Sequence, residues 1–346
     1  MTTPRYTVEE QTARVFAWRH GFNATFLIDL GIKLGLFRAL ADTPGLSAEE
    51  LAGRLGLKPR HVGVWCRTAY AFEMLEAAGD GCFTLAPFMD QVLATPGHPR
   101  YVGGYVQLGT DAAVEDFLLC RAAFRSGENR PFQGRPESFP RLVSEATNGL
   151  QYMSARKVLP EIAAVKAALG AGGRLLEVGC GTARHLLQIA KSFPAATCVG
   201  VDIDPTSIAI AERNAAAADF GERVRVVAGT IDDAAVHGPY DAVVMVEVLH
   251  EIAADIRQDV ISACARALRP GGWLVIIDET YPGTLAELRD PAFQFAVQTA
   301  FEELVWGNDI PTREEQERLL ATAGFGTPVH RETFAEHFTI LRAQRP

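Results

Sequence analysis

Two short stretches of this chain combine residue types that could do chemistry. In Leu175-Leu176-Glu177-Val178-Gly179-Cys180-Gly181-Thr182-Ala183 an apolar run ends in an acidic residue and then a glycine turn. Glycines there let a backbone approach a ligand closely, and a helix starting after the turn would offer free N–H groups. The second stretch, Val246-Glu247-Val248-Leu249-His250-Glu251-Ile252, holds a histidine among carboxylates. An imidazole there suits the removal of a proton from a nucleophile. The same residues also allow a metal reading, in which His250 with Glu251, Glu279, or Glu302 and Glu303 holds a divalent ion, and a plain one, in which His250 only packs or caps a helix.

The elements around these stretches place them. From Arg174 onward short apolar runs (175–178, 198–201, 224–227, 242–246 and 273–277) alternate with helical segments, a pattern that predicts a parallel sheet with helices on both faces. The glycine turn then follows the first of these strands and His250 follows the fourth, both at the C-terminal edge where open α/β sheets bind ligands. Asp202 ends the second strand about twenty positions past the turn, where a carboxylate can accept two hydrogen bonds from a ribose diol. Arg184 occupies the third glycine position of a dinucleotide fingerprint, which argues against a pyrophosphate. His337 to Arg345 reads as a last strand after the Gly324-Phe325 turn.

The N-terminal part has a different texture. Thr12 to Leu40 repeats apolar residues at helical spacing, Ser47 with Glu50 signals a helix start, Gly56 a stop, and Pro59 another start. Gly79-Asp80-Gly81 turns into the short strand Cys82 to Leu85. Helices followed by a small hairpin suggest a winged helix, and the mixed helical and Gly/Pro-broken segment 111–155 suggests a cover over a site. The boundary between the two parts is placed at 150, giving domains 1–150 and 151–346.

Composition narrows the partners. Of 346 residues, 48% are apolar and 22% charged, as in a folded soluble protein, and no run reaches the roughly 18 apolar residues of a membrane span. The six scattered cysteines form no C-x-x-C pair or zinc spacing, and the N-terminus lacks a secretory pattern, so a cytoplasmic location is expected. Net charge is -9, and the first hundred residues carry ten basic and ten acidic side chains, whereas a DNA-binding winged helix should be distinctly basic. Neither nucleic acid nor a membrane is expected as a partner.

The glycine turn, Asp202 and the Arg269-Pro270-Gly271-Gly272-Trp273 turn into the fifth strand together resemble the class I S-adenosylmethionine-dependent methyltransferases, over residues 160 to 346. The resemblance implies a seven-stranded, mostly parallel Rossmann-like sheet. It assigns Gly179 and Gly181 to the methionine part of S-adenosylmethionine, Glu177 to its amino end, Asp202 to the ribose and Ile203 to a face of the adenine, with Val246 also in the cofactor site. Thr230 stands where relatives place an aspartate facing the adenine amine, with Asp232 as the other candidate.

The His250 segment with Glu279 is similar to the small-molecule O-methyltransferases. That resemblance makes His250 the general base and Glu279 its orienting acid, with Asp309 standing in for a second acid ahead of Thr312-Arg313-Glu314-Glu315. It also makes the N-terminal module a homodimerisation domain. Tyr152, Met153, Trp306 and Asn308, with Phe301, are candidates for the acceptor pocket. The reading is O-methylation of a small molecule in secondary metabolism. The alternatives are a metal-assisted C-methyltransferase of an α-keto acid type acceptor, with His250, Glu251 and Glu303 as ligands, and a winged-helix regulator that binds S-adenosylmethionine.

Overall fold

A computed structural model describes residues 5–346, which form two compact units meeting between Ala112 and Ala113. The segment 113–150, which the sequence pattern groups with the N-terminal domain, belongs to the second unit. Its helices (Val114–Ser126, Ser138–Ala146 and Asn148–Met153) pack on the later elements of that unit, a long-range choice that local periodicity does not encode.

The first unit opens with the helix Val8–Lys33, whose start is fixed by a reciprocal capping box between Thr7 and Glu10. The helix Leu36–Asp42, strand β1 (Leu46–Ser47), the helices Ala48–Leu55 and Pro59–Ala71, and strands β2 (Leu75–Ala77) and β3 (Cys82–Leu85) follow. Ser47 and Glu50 form a second capping box, Gly56 ends that helix at φ +67°, and Pro59 begins the next, as the residue types predict. The three strands make an antiparallel sheet in the order β1-β3-β2. Leu36, Phe37, Leu40, Leu51, Trp65, Cys66 and Leu75 form the core of this unit. Gly31 is required by that packing, because a Cβ there would lie 2.3 Å from the Phe37 ring.

The second unit holds a seven-stranded sheet. Its strands are β4 (Arg174–Val178), β5 (Thr197–Asp202), β6 (Val224–Ala228), β7 (Tyr240–Val246), β8 (Leu268–Asp278), β9 (His330–Phe334) and β10 (Phe338–Gln344), ordered β6-β5-β4-β7-β8-β10-β9. β4 to β8 run parallel, and β10 pairs antiparallel with β8 and β9. This is the expected mostly parallel, Rossmann-like architecture. β9 is the one strand the pattern did not signal: its alternation is weak and it has only β10 to pair with.

Both faces of the sheet are covered, so the parallel strands read as nearly continuous apolar runs. Val244, Val275 and Ile277 point into one core with Leu175 and Leu186, while Val243, Met245, Leu274 and Ile276 point into the other with Leu176 and Val199. The strand order reverses beside β4, which opens a crevice beyond the carboxyl ends of β4, β5 and β7.

Candidate active site

That crevice is a cavity of about 700 Å³ within the second unit. Glu177, Gly179, Gly181, Asp202, Ile203, Thr230 and Val246 all line it. Gly179 and Gly181 both have positive φ, +66° and +51°, and a Cβ at Gly179 would come within 2.6 Å of Val248. The turn therefore depends on glycine at its first position for space as well as for conformation.

Asp202 is tied to this turn, since Oδ2 accepts the Gly181 N–H at 2.8 Å and Oδ1 the Asp204 N–H at 2.8 Å. Burial pushes its carboxyl up, and the two backbone donors pull it part of the way back. Each oxygen keeps a lone pair for a further donor, as a diol requires. Ile203 is 63% exposed and offers an apolar face to the cavity. The Thr230 hydroxyl is already committed to the Asp233 carboxylate in a helix cap, at 3.0 Å. Asp232 is also on the cavity wall, and its Oδ1 lies 3.5 Å from the Arg266 guanidinium.

Glu177 is almost completely buried at the end of β4. Its Oε1 meets His185 Nδ1 at 2.8 Å, and His185 Nε2 meets Ser154 Oγ at 3.0 Å. Its Oε2 is buried without a hydrogen-bond partner. An unpartnered carboxylate oxygen on the wall of a cavity suits an ammonium group, so the residues fit the amino-acid end of S-adenosylmethionine. Sequence reasoning missed His185 and Ser154. The only available signal was a histidine in the first turn of the helix Arg184–Ser192, and no fixed spacing ties it to Glu177.

His250 sits behind the cavity wall, 2% exposed, in a cage of carboxylates. Its Nδ1 lies 2.6 Å from Asp278 Oδ1 and 3.2 Å from Glu279 Oε2, and its Nε2 lies 3.3 Å from Glu303 Oε1. Asp278 also accepts the backbone N–H groups of Leu249, His250 and Glu279, which fixes its orientation. The structure thus brings His250 and Glu279 together but gives the closest contact to Asp278. Asp278 is the last residue of β8 and Glu279 the first beyond it, and sequence alone does not say which of two adjacent acids comes closer to the histidine. Glu279 instead accepts a hydrogen bond from Thr299.

The second acid, expected at Asp309, is placed differently. Asp309 pairs with the fully buried Arg257 and does not approach His250, whereas Glu303 does. Burial alone would push His250 down, but the charges of Asp278, Glu303 and Glu279 outweigh it and hold the imidazole well above its ordinary value. Burial lifts Glu279 to about 7 and pushes Glu247 and Glu251 well up. His250, Glu251 and Glu303 each place one ligand atom within 4.8 Å of the others, so this alternative metal set is also assembled.

Glu247 and Glu251, the neighbours of His250, line the cavity, while His250 itself stays behind them. Trp306 and Asn308 line it too. Trp306 is held by its Nε1–H, which donates to the buried Asp116 at 2.7 Å, and Asp116 also binds Arg130 and Arg135. The Asn308 amide donates to Glu303 at 3.0 Å and so joins the cavity wall to the His250 cage. Tyr152 and Met153 do not line the cavity. Gln151 and Thr147, one helical turn apart, take that face, because each step along a helix rotates the side chain by about 100°. Phe301 stacks on Phe117 instead.

A doubly wound sheet with a glycine turn, a strand-end aspartate and an unpartnered carboxylate around one cavity is the arrangement expected of a methyltransferase that uses S-adenosylmethionine. Residues 175–272 match the methyltransferase domain family. The chain is similar to 3-hydroxy-5-methyl-1-naphthoate 3-O-methyltransferase of Streptomyces sahachiroi, with 27% identity over 74% of each chain. It is also similar to demethylspheroidene O-methyltransferase of Cereibacter sphaeroides, with 25% identity over 78% of this chain and 70% of that one. Its fold matches human N-acetylserotonin methyltransferase, solved with S-adenosylmethionine, at a TM-score of 0.78, 16% identity and 99% of each chain. An O-methyltransferase family protein of Burkholderia thailandensis matches at a TM-score of 0.76, with 19% identity over 96% of this chain and 98% of that one.

Proposed function

We propose that this enzyme methylates a hydroxyl oxygen of a small molecule in secondary metabolism, with the His250 cluster receiving the proton. The observation that carries this reading is the caged histidine directly behind the cavity wall. S-adenosylmethionine supplies an already activated methyl group. The acceptor oxygen forms the new bond to that carbon, the carbon–sulfur bond breaks, and the acceptor's proton must leave.

His250, held by Asp278 and paired with Glu303, works as one coupled unit with Glu251, its cavity-facing neighbour. Because the carboxylates favour the imidazolium, the base is the cluster after it has lost a proton rather than an isolated imidazole. The names of the two similar curated enzymes, both O-methyltransferases, support oxygen as the acceptor atom. Trp306 and Phe132 give the acceptor apolar walls, and Asn308 and Gln133 give it amides.

The helical N-terminal unit, winged-helix-like in its order of elements, serves in this reading as a dimerisation module. Its first helix exposes Val8, Val15, Trp18 and Phe22 at spacings of three, four and seven, an apolar stripe suited to a second copy. Six free cysteines fit a reducing, cytoplasmic setting.

The test is incubation with S-adenosylmethionine and a panel of phenols, with the methylated atom assigned by NMR. A carbon-methylated product that disappears with chelator, returns with added metal and is lost with ligand metal in His250→Ala would favour the metal set instead.

A further inference from the structure

The geometry points to a role for His185 outside the chemical step. We propose that His185, backed by Ser154, is a positioning residue that aims the free oxygen of Glu177 at the ammonium group of S-adenosylmethionine, an inference that rests on the cofactor reading above.

The three side chains form a closed chain of hydrogen bonds. A carboxylate only accepts, so the proton of a neutral His185 must sit on Nδ1, which donates to Glu177 Oε1 at 2.8 Å. Nε2 is then an acceptor and receives the Ser154 hydroxyl at 3.0 Å. Ser154 is fully buried, His185 is 1% exposed and Glu177 3%. Both ring nitrogens are used, and the ring cannot turn without breaking one of the two bonds.

This arrangement decides what Glu177 can do. With Oε1 pinned, the carboxylate cannot rotate to find a donor for Oε2, which remains buried and unpartnered on the cavity wall. No nearby side chain supplies the missing donor. Arg184, the next residue to His185, is taken by Glu145 and Asn148. The one cationic side chain among the described residues lining the cavity is Arg266, which faces Asp232. A ligand group that carries N–H donors and positive charge, as the α-ammonium of an amino acid does, would complete Glu177 with a charge-assisted bond. A serine, a histidine and a carboxylate at three separate places in the chain meet only because the segment 154–158 packs on the helix Arg184–Ser192.

The test compares two ligands by calorimetry. S-adenosylhomocysteine carries the amino-acid end, and 5′-methylthioadenosine shares the nucleoside and the thioether but lacks that end. In His185→Leu, affinity for S-adenosylhomocysteine should fall by about tenfold or more while affinity for methylthioadenosine changes by less than about twofold. His185→Gln, whose amide can still donate to Glu177, should recover part of the loss. In a Glu177→Gln background, His185→Leu should cost nothing further. Ser154→Ala provides a milder break should His185→Leu fail to fold, and it should weaken only S-adenosylhomocysteine.

Equal weakening of both ligands would reduce the histidine to a packing role and overturn the proposal. So would unchanged S-adenosylhomocysteine affinity in the folded His185 or Ser154 variants while Glu177→Gln weakens it. Wild-type protein that binds neither ligand would bring down the cofactor reading first, and this inference with it.

Discussion

Asp278 Oδ1 lies 2.6 Å from His250 Nδ1, nearer than Glu279; Asp278 ends β8, and His250 lies in the loop after the neighbouring parallel strand β7. Asp278 is held by three backbone N–H groups, so it holds the His250 ring in one orientation. Asp278→Asn should therefore lower kcat by about 10² to 10⁴ with cofactor affinity unchanged, and Glu279→Gln should cost less. Steady-state kinetics with S-adenosylhomocysteine titrations check both. A larger loss at Glu279 would return the orienting role to that residue.

Stability should carry the mark of Glu279. Its folded carboxyl ionises near 7 because it is buried, while in the unfolded chain it ionises near its ordinary 4.5. Between these values the folded state keeps a proton that the unfolded state has lost. This contribution to stability is complete below about 4.5 and is lost as the pH rises through about 7. Glu279→Gln cannot ionise, so its thermal midpoint should gain on the wild type between pH 5 and 8, on the order of a few degrees. Parallel curves would show that Glu279 does not titrate in this range.

Asp202 offers a test of the cofactor end. Asp202→Ala removes the acceptor for both ribose hydroxyls and should weaken S-adenosylhomocysteine by about 2 to 4 kcal/mol, with Asp202→Asn intermediate. Calorimetry reads this directly, and an unchanged affinity would remove Asp202 from the ribose site.

Assembly should depend on the first helix. A charged residue in the exposed stripe, Trp18→Asp or Phe22→Asp, should convert a dimer to a monomer without unfolding the chain, because neither side chain belongs to the core of its own unit. Light scattering at tens of micromolar decides it, and a wild-type monomer there would defeat the dimer reading.

Much of this protein is written locally. The strands β4, β5, β7 and β8, the capping boxes at Ser47 and the stop at Gly56 follow from apolar runs and from residues whose side chains bond their own backbone. The glycine turn and Asp202 were legible because strand ends and glycine turns recur at near-constant spacing along an alternating α/β chain. β9 was not legible, since its pairing with β10 comes from a partner rather than from its own residues.

The tertiary structure alone decided the contacts between distant segments. Nothing in the order of residues says that Asp278 rather than Glu279 meets His250, that Glu303 rather than Asp309 closes the cage, or that Asp309 belongs to Arg257. Likewise the Ser154–His185–Glu177 chain joins residues 31 and 8 positions apart, and Trp306 is fixed by Asp116 from 190 positions away. The reason is physical: local patterns fix where a backbone turns and which face is apolar, but a buried polar group takes whichever partner the packed elements bring within hydrogen-bond reach.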